Sequence, residues 1–331
     1  MRVRLARKRT LLAAGLCVSA VVGVSQSNEA HITMPYAIFG EFQGQPVTVT
    51  ATSRSAGAIE SLQWGGVEFI DANDHGRDLQ SAVSFDGLTE CDNPTEAGSS
   101  RDGVGASTSS SRLEAASVDG NVLRTRSRMA NWLRMGQWSA ACGLARNDAE
   151  ANLSSTRLAK TVRFLPLYGN VLEHRITFDL ARSRALAQFE VLTAYMPFKF
   201  GTFYRLDPAS DRLQPLSDGP GEQELPVVLS TADGTHALGL YTLQTAKPGL
   251  AGPGYGRWRF NAERVTKSNV VFRQTNAAAG PHRFVVYTVF GSLDDVRASL
   301  GRLYQDRATI VADNASAEGD LAPLMAMESG R

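Results

Sequence analysis

Apolar and polar residues alternate along more than ten short segments of this chain, and clusters of Gly, Pro, Asn and Asp separate most of them. A period of two is typical of half-buried β-strands. No helical segment lies between them, which excludes a parallel α/β sheet and favours antiparallel sheets packed face to face. The predicted strands are Pro46–Ala51, Ala58–Trp64, Val67–Ile70, Leu79–Phe85, Arg112–Val118, Arg157–Phe164, Val171–Leu180, Phe189–Tyr195, Pro226–Ser230, Ala237–Leu243, Arg257–Asn261, Val270–Arg273 and Arg283–Phe290.

One late segment has a helical pattern instead. Between Ser292 and Arg307, apolar residues recur every three or four positions, and acidic residues follow Ser292 directly. A serine cap and negative charge in the first turn both stabilise a helix start. We therefore predict a mainly β protein, an antiparallel β-supersandwich, with one late α-helix that packs on a sheet. The polar residues 311–331 are predicted to form a disordered tail.

Net charge and composition bear on two questions, whether the protein binds nucleic acid and how many domains it has. The chain has 331 residues and a formal net charge of +1, whereas nucleic-acid-binding proteins normally carry a strong basic excess. We therefore expect no nucleic-acid partner. No linker of distinct composition divides the chain, so residues 31–310 are predicted to form one domain.

The first residues have the layout of a secretory signal peptide. Several arginines precede the apolar run Leu11–Val24, and the small polar residues Ser25–Ser27 follow it. Residues 1–27 are predicted to be this signal, with an uncleaved membrane anchor as the alternative. The run is shorter than the ~20 residues that a spanning helix needs. We expect an exported protein, secreted or periplasmic, without stable membrane insertion after cleavage.

Two cysteines remain beyond the signal segment. Cys91 and Cys142 are 51 residues apart, and a pair of cysteines commonly forms a disulfide in an oxidising compartment. Closing that loop stabilises a fold by roughly 4 kcal/mol in the chain-entropy model. The alternative is two buried free thiols.

Three loops carry candidate binding residues. Asp86–Ser111 is long for an irregular connection and contains Glu90, Asn93 and Glu96 among other acidic residues. The second loop, Leu216–Pro226, places Glu222 at its tip. The third, Lys247–Trp258, presents Tyr255 and Trp258 among glycines. Aromatic rings of this kind stack on a sugar face or cover a hairpin. A surface loop without function and a calcium-binding acidic loop are the alternatives for the first.

The turn before the fourth predicted strand concentrates charge. Asp74, His75 and Arg77 lie within ten residues, in D-A-N-D-H-G-R-D-L-Q. Arginine binds two oxygens of a sugar or carboxylate at once, and histidine with glutamate exchanges protons near neutral pH. A structural ion-pair network around the turn is the alternative. On later strands, His174 is a candidate inward-facing histidine and Tyr195 a candidate contact.

Several well-known catalytic and metal motifs are missing from the sequence. It contains neither a G-x-S-x-G elbow nor an H-E-x-x-H or P-loop motif, and its five histidines lack metal-ligand spacing. We therefore expect no metal or organic cofactor, with calcium in the acidic loop as the one open possibility.

The segment G-A-I-E-S-L-Q-W-G-G-V-E-F-I, Gly57–Ile70, resembles the first hairpin of galactose mutarotase-like proteins. In that family a Gly-Arg step follows, whose arginine contacts the sugar, and Gly76–Arg77 matches it. The resemblance implies a β-supersandwich. Members include aldose 1-epimerases, and related domains occur in polysaccharide lyases and glycoside hydrolases. Mutarotases use a histidine acid and a glutamate base, which implies His174 as the counterpart of that histidine.

Together these observations predict an exported carbohydrate-active protein, either an epimerase-like enzyme, a hydrolase or a lyase, with acid–base catalysis by carboxylate and histidine. A non-catalytic glycan-binding protein of the envelope is the alternative. The catalytic candidates are His75, Glu90, Glu96 and His174. The substrate-binding candidates are Asp74, Arg77, Asn93, Tyr195, Glu222, Tyr255 and Trp258.

Overall fold

The computed structural model describes residues 35–147 and 153–316, and these belong to one compact unit. The first strands are β1 (Tyr36–Phe42), β2 (Gln45–Ala51), β3 (Ile59–Trp64), β4 (Val67–Glu68), β5 (Leu79–Phe85), β6 (Pro94–Thr95), β7 (Arg112–Asp119), β8 (Val122–Asn131), β9 (Trp138–Ser139) and β10 (Gly143–Leu144). The later strands are β11 (Leu153–Phe164), β12 (Val171–Leu180), β13 (Arg184–Pro197), β14 (Thr202–Asp207), β15 (Arg212–Pro215), β16 (Gly221–Gln223), β17 (Val227–Ser230), β18 (Ala237–Tyr241), β19 (Leu250–Phe260), β20 (Val265–Ala277) and β21 (Gly280–Gly291). The predicted signal segment 1–27 and residues 317–331 lie outside the described residues.

The strands pair antiparallel in two layers. One layer follows the pairings β7–β8–β11–β12–β21–β18–β17–β14–β15. The other follows β16–β19–β20–β13–β5. Strand β6 pairs with both β5 and β8, and β3 connects the β1–β2 hairpin to β5. This arrangement confirms the predicted antiparallel β-supersandwich.

Aromatic side chains fill the space between the two layers. Phe178 of β12 lies with its ring centroid 5.1 Å from that of Phe189 of β13, and Phe272 of β20 lies 5.3 Å from Phe284 of β21. All four rings are buried. Inward-facing positions of facing strands thus meet in one hydrophobic core, which provides a rigid support for the polar outer face of the β5–β13–β20–β19 layer.

The late helix is present as predicted. Helix α1 (Leu293–Gln305) begins after Ser292, whose hydroxyl accepts a hydrogen bond from the Asp295 amide at 3.2 Å, while the Asp295 carboxylate accepts one from the Ser292 amide at 2.9 Å. This reciprocal capping satisfies two amides that the helix itself leaves unpaired. A second helix, α2 (Arg307–Ser316), follows and was not predicted; it includes the first residues of the segment assigned as a tail.

The prediction that residues 247–258 form a loop is wrong. Most of this segment belongs to β19, which pairs with β20 along its whole length, with a register shift between Ala251 and Gly254. The Gly252–Pro253 step lies at this bulge, because proline cannot donate a ladder hydrogen bond. Glycine and proline thus mark an irregularity within a strand here. Across the described residues, no helix is long and apolar enough to span a membrane.

Candidate functional site

An open cleft of about 670 Å³ lies on the polar face of the β5–β13–β20–β19 layer. Adjacent strands supply most of its wall, and the 3-10 turn Thr89–Asp92 and the loop after β8 supply its rim. The lining includes Gln80 and Ser84 from β5, Gln188, Glu190, Thr193 and Tyr195 from β13, Trp258 and Phe260 from β19, Lys267 from β20, and Thr89, Glu90, Asn93, Trp132 and Ala141 from the rim.

A β-bulge in β13 decides which side chains reach the cleft. The pairing of β13 with β20 shifts register between Glu190 and Leu192, and Val191 and Leu192 are both completely buried. The extra residue changes the parity of the strand, so that Glu190 and Tyr195 share one face although they are five positions apart. Without the bulge, strict alternation would put one of these two residues into the core.

Glu190 lies at the centre of a hydrogen-bonded cluster. Its Oε2 accepts hydrogen bonds from Lys267 Nζ at 2.9 Å, Asn269 Nδ2 at 2.9 Å and Thr193 Oγ1 at 3.1 Å. Its other oxygen, Oε1, accepts none from the described residues, and the side chain is 22% exposed. Burial by itself raises the pKa of this carboxyl, but the Lys267 ammonium and the three hydrogen bonds outweigh it and hold the pKa below its usual value. Glu190 is therefore an ionised carboxylate at neutral pH.

Lys267 lies between two aromatic rings. Its Nζ is 4.7 Å from the ring centroid of Trp258 and 5.4 Å from that of Tyr195. Burial lowers the pKa of Lys267, but the neighbouring Glu190 carboxylate more than offsets this and raises the pKa above its usual value. Burial likewise raises the pKa of the Tyr195 phenol, which stays protonated. The cluster thus combines a fixed carboxylate, a fixed ammonium and a neutral phenol.

Gly256 gives the Trp258 ring its position. A Cβ atom at residue 256 would overlap with the far edge of the Trp258 indole and lie 2.5 Å from Asn269 Oδ1. The ring therefore lies over a backbone position that only glycine can occupy without displacing it. This is the structural reason for a glycine beside an aromatic residue in the G-P-G-Y-G-R-W segment.

The disulfide holds the rim of the cleft. Cys91 and Cys142 are joined, with Cα atoms 6.0 Å apart, which confirms the predicted pairing. The bond connects the 3-10 turn that carries Glu90 to the small β9–β10 hairpin, whose Ser139 hydroxyl donates a hydrogen bond to Glu90 Oε1. Ala141, next to the disulfide, lines the cleft. The covalent link therefore supports the wall that bears one of the cleft carboxylates.

Four of the residues predicted from sequence meet in this cleft. Glu90 and Asn93 come from the first predicted loop, Tyr195 ends a predicted strand, and Trp258 belongs to the third predicted loop. The Asn93 amide donates to the Val83 carbonyl at 2.9 Å, which fixes its orientation at the rim.

His75 lies outside the cleft, in solid packing. It is completely buried, and its two ring nitrogens are each 3.1 Å from a backbone carbonyl oxygen, those of Ala97 and Ala106. These contacts connect the turn to the neighbouring loop. The catalytic candidate His75 therefore lies outside the cleft that contains Glu90, and no part of its ring is open to a ligand.

Glu96 and His174 are also buried away from solvent. Glu96 Oε2 accepts hydrogen bonds from Lys160 Nζ at 2.5 Å and from the Ser81 amide at 2.8 Å. His174 Nε2 is 2.9 Å from the Thr288 hydroxyl, and burial, reinforced by the Lys160 charge, lowers the pKa of His174 well below its usual value. Both predicted catalytic residues therefore lie in the interior, where they form a structural polar cluster.

Arg77 and Asp74 form the ion-pair network that was the structural alternative for this turn. Arg77 contacts the carboxylates of Asp71 at 3.1 Å and Asp74 at 3.0 Å, and Asp74 also accepts from the Gly76 amide at 2.8 Å. Neither charged side chain lines the cleft. The ion pairs of Arg77 thus stabilise this turn, and the preceding residue, Gly76, lines the cleft.

The last two predicted contacts lie elsewhere. Glu222 forms a bidentate pair with Arg273, with distances of 2.7 and 2.8 Å, in a second cavity of about 610 Å³. Tyr255 is a core residue with 1% exposure, and its hydroxyl oxygen accepts a hydrogen bond from the Thr242 amide at 3.3 Å. Tyr255 therefore has no face open to a sugar.

Sequence reasoning missed Glu190, Lys267, Gln188 and Trp132. The first three lie on strands, where a polar residue on one face carries no local signal of function. Glu190 directly follows Phe189 in a predicted strand, so alternation could have placed its carboxylate on the outer face. Its partner Lys267, however, is 77 residues away in the sequence. Only strand pairing brings the two together.

The described residues contain no group of three or more His, Cys, Asp and Glu side chains arranged to hold a metal ion. The acidic side chains of the first loop are separated by their partners. Asp92 pairs with Arg184 at 2.9 Å, and Glu96 pairs with Lys160. The described part of the loop thus offers no calcium ligand set.

Comparison with family models and with curated proteins finds no match. Solved structures to which the chain is similar include the heparan sulfate lyase HepC from Pedobacter heparinus, with 8% identity, a TM-score of 0.40, and 78% of this chain and 35% of that chain covered. The chain thus spans about a third of the length of that lyase. The Slr1438 protein from Synechocystis sp. PCC 6803 has 10% identity and a TM-score of 0.40, with 78% and 96% covered.

A GH36 α-galactosidase from Geobacillus stearothermophilus, solved in complex with raffinose, has 8% identity and a TM-score of 0.40, with 79% of this chain and 42% of that chain covered. Neither a residue role nor an activity is taken from these likenesses.

Proposed function

We propose that the cleft binds a saccharide and that the protein is carbohydrate-active. The observation that supports this is the meeting of aromatic faces and hydrogen-bonding groups in one open cleft of about 670 Å³. Trp132 and Trp258 offer indole rings, which stack on the apolar face of a sugar. Asn93 and Gln188 offer amide groups for sugar hydroxyls. The volume falls within the roughly 300–1,000 Å³ typical of small-molecule sites.

For catalysis, we propose Glu190 as the base and Tyr195 as the acid of an epimerisation, hydrolysis or elimination. Glu190 is ionised and has one carboxylate oxygen without a hydrogen bond from the described residues, whereas the Tyr195 phenol is protonated. Both lie beside the Lys267 ammonium, whose positive charge stabilises negative charge that develops on a reacting oxygen. This pair takes the place of the carboxylate and histidine predicted from sequence, because no described histidine lines the cleft.

A non-catalytic glycan-binding protein is the second candidate. It is favoured by the three hydrogen bonds to Glu190 Oε2 and by the lowered pKa of that carboxyl, because a strongly stabilised carboxylate is a weak base. The two candidates share the same ligand site and differ in whether a product forms.

Export is part of the proposal. The basic and apolar start of the chain is the motivation, and the Cys91–Cys142 disulfide supports an oxidising compartment. N-terminal sequencing of protein recovered from the medium or periplasm tests it: removal of about the first 27 residues is expected. An intact N-terminus in the cytoplasm contradicts export.

The function is tested by binding and product analysis on a panel of oligosaccharides. We expect Trp258→Ala to weaken binding of any ligand found by about tenfold or more, since it removes a stacking face. Phe39→Ala is the matched control, because Phe39 is 62% exposed and does not line the cleft. If the wild type binds no glycan, or if both variants bind equally well, the proposal is wrong.

Turnover separates the two candidates. If the wild type forms a product, Glu190→Gln is expected to slow turnover by about 10²–10⁴-fold, and Tyr195→Phe by a comparable factor. Binding without any product selects the glycan-binding protein. Product formation that survives both substitutions contradicts the assignment of Glu190 and Tyr195.

A further inference from the structure

The cationic groups beside the cleft are already neutralised by the protein itself. Lys267 contacts the Glu190 carboxylate at 2.9 Å and lies between two aromatic rings. Arg273, which donates a hydrogen bond to the cleft residue Gln188 at 2.8 Å, is bound by both oxygens of Glu222. A ligand carboxylate or sulfate placed in the cleft would have to compete with these internal carboxylates.

Glu90 is the cleft carboxylate that lacks such compensation. It lines the cleft and is half-buried, and its Oε1 accepts a hydrogen bond from the neutral Ser139 hydroxyl. Within the described residues it has no cationic partner. Charged side chains that are withdrawn from water are normally paired, so an unpaired carboxylate in a binding cleft is available for a ligand cation.

The lining as a whole is negative. Glu90 and Glu190 carry two negative charges against the single positive charge of Lys267, and no arginine or histidine is among the lining residues. The protein as a whole has a formal net charge of +1, so the negative character belongs to the cleft and not to the molecule. The local field therefore favours a cation over an anion at this site.

We infer that the saccharide of this cleft carries a protonated amino group, and that Glu90 binds that group. The inference rests on the proposed saccharide-binding function and specifies its ligand class as amino sugars with free amines. The rings of Trp132 and Trp258 serve the apolar faces of such a sugar, and Glu90 supplies a charge-assisted hydrogen bond. Uronic acids and sulfated sugars are disfavoured, because their charge has the same sign as the cleft.

Chitosan and chitin oligosaccharides of equal length provide the test, since they differ in whether the amine is free or acetylated. Calorimetry at mildly acidic pH, where the free amine is charged, is expected to show at least about tenfold tighter binding of the deacetylated form. Added salt should reduce this preference, because the Debye length falls to about 3 Å at 1 M.

Glu90→Gln is the decisive variant. Its amide oxygen still accepts the Ser139 hydrogen bond, so the fold is kept while the charge is lost, and the preference should fall to less than about threefold. Glu41→Gln is the matched control, an exposed glutamate outside the cleft lining, and should leave the preference unchanged.

Each outcome is informative. Equal binding of both forms, tighter binding of uronate oligosaccharides, or a preference that survives Glu90→Gln overturns the inference but leaves the saccharide-binding function intact. If no saccharide of any class binds, the proposed function fails as well, and the inference falls with it.

Discussion

The buried Lys160–Glu96 pair should be essential for stability and irrelevant to ligand binding. Lys160 and Glu96 have side chains 1% and 0% exposed, with Nζ and Oε2 2.5 Å apart. At an effective dielectric constant of about 20, their attraction is about 7 kcal/mol, and much of it offsets the cost of removing both charges from water. Lys160→Met leaves Glu96 buried without its cation. We therefore expect the free energy of unfolding to fall by about 3–5 kcal/mol.

The double variant Lys160→Met/Glu96→Gln tests the cause. It removes both charges, and the amide oxygen of glutamine still accepts the hydrogen bond that the Ser81 amide donates at 2.8 Å. A neutral replacement of a buried ion pair is often tolerated, so the double variant should be more stable than Lys160→Met alone. Such non-additivity is the signature of a coupled pair.

Urea unfolding followed by tryptophan fluorescence measures Lys160→Met, the single variant Glu96→Gln and the double variant, with constant m-values as the check on two-state behaviour. Glycan binding by the folded variants should match that of the wild type, because neither Lys160 nor Glu96 lines the cleft. A loss below about 1 kcal/mol for Lys160→Met, or losses that simply add in the double variant, would refute the reasoning.

Three further predictions concern other sites. Burial, reinforced by a nearby glutamate, raises the pKa of Asp78 well above its usual value. The protonated Asp78 carboxyl therefore contributes its full stability below about pH 4, and this contribution is lost as pH rises through the folded-state pKa. Asp78→Asn keeps a neutral side chain at every pH, and asparagine tolerates the φ of 72° at this position. The variant should therefore lose stability less steeply with rising pH in melting curves, and an unchanged slope would contradict this prediction. Replacing Cys91 and Cys142 together with serine should lower the free energy of unfolding by about 4 kcal/mol in non-reducing urea titrations, and a loss below about 1 kcal/mol would be evidence against the loop-closure account. Gly256→Ala should displace the Trp258 ring and weaken glycan binding about tenfold in calorimetry while the circular dichroism spectrum stays that of the wild type; unchanged affinity would show that the ring position does not matter.

The strands that the sequence predicted well have a strong apolar face. Strand β8 shows why other strands were missed. Its buried residues Thr125 and Ser127 alternate with arginines, so both faces of the strand are polar there and no apolar–polar pattern is visible in the sequence. Residues 250–256 of strand β19 were predicted as a loop because glycine and proline are typical of turns, whereas here they create a bulge and room for Trp258. In both strands, tertiary contacts override local preference.

Periodicity, helix capping and cysteine number are local or countable properties, and they were enough to predict the antiparallel β class, the helix that begins at Ser292 and the Cys91–Cys142 pairing. The composition of the cleft, in contrast, depends on contacts between strands that are distant in sequence. The bulge in β13 and the pairing of β13 with β20 bring Glu190 beside Lys267, and burial removes His75 from any ligand. Register between strands distant in sequence depends on the summed packing of whole faces, and no single residue carries that information.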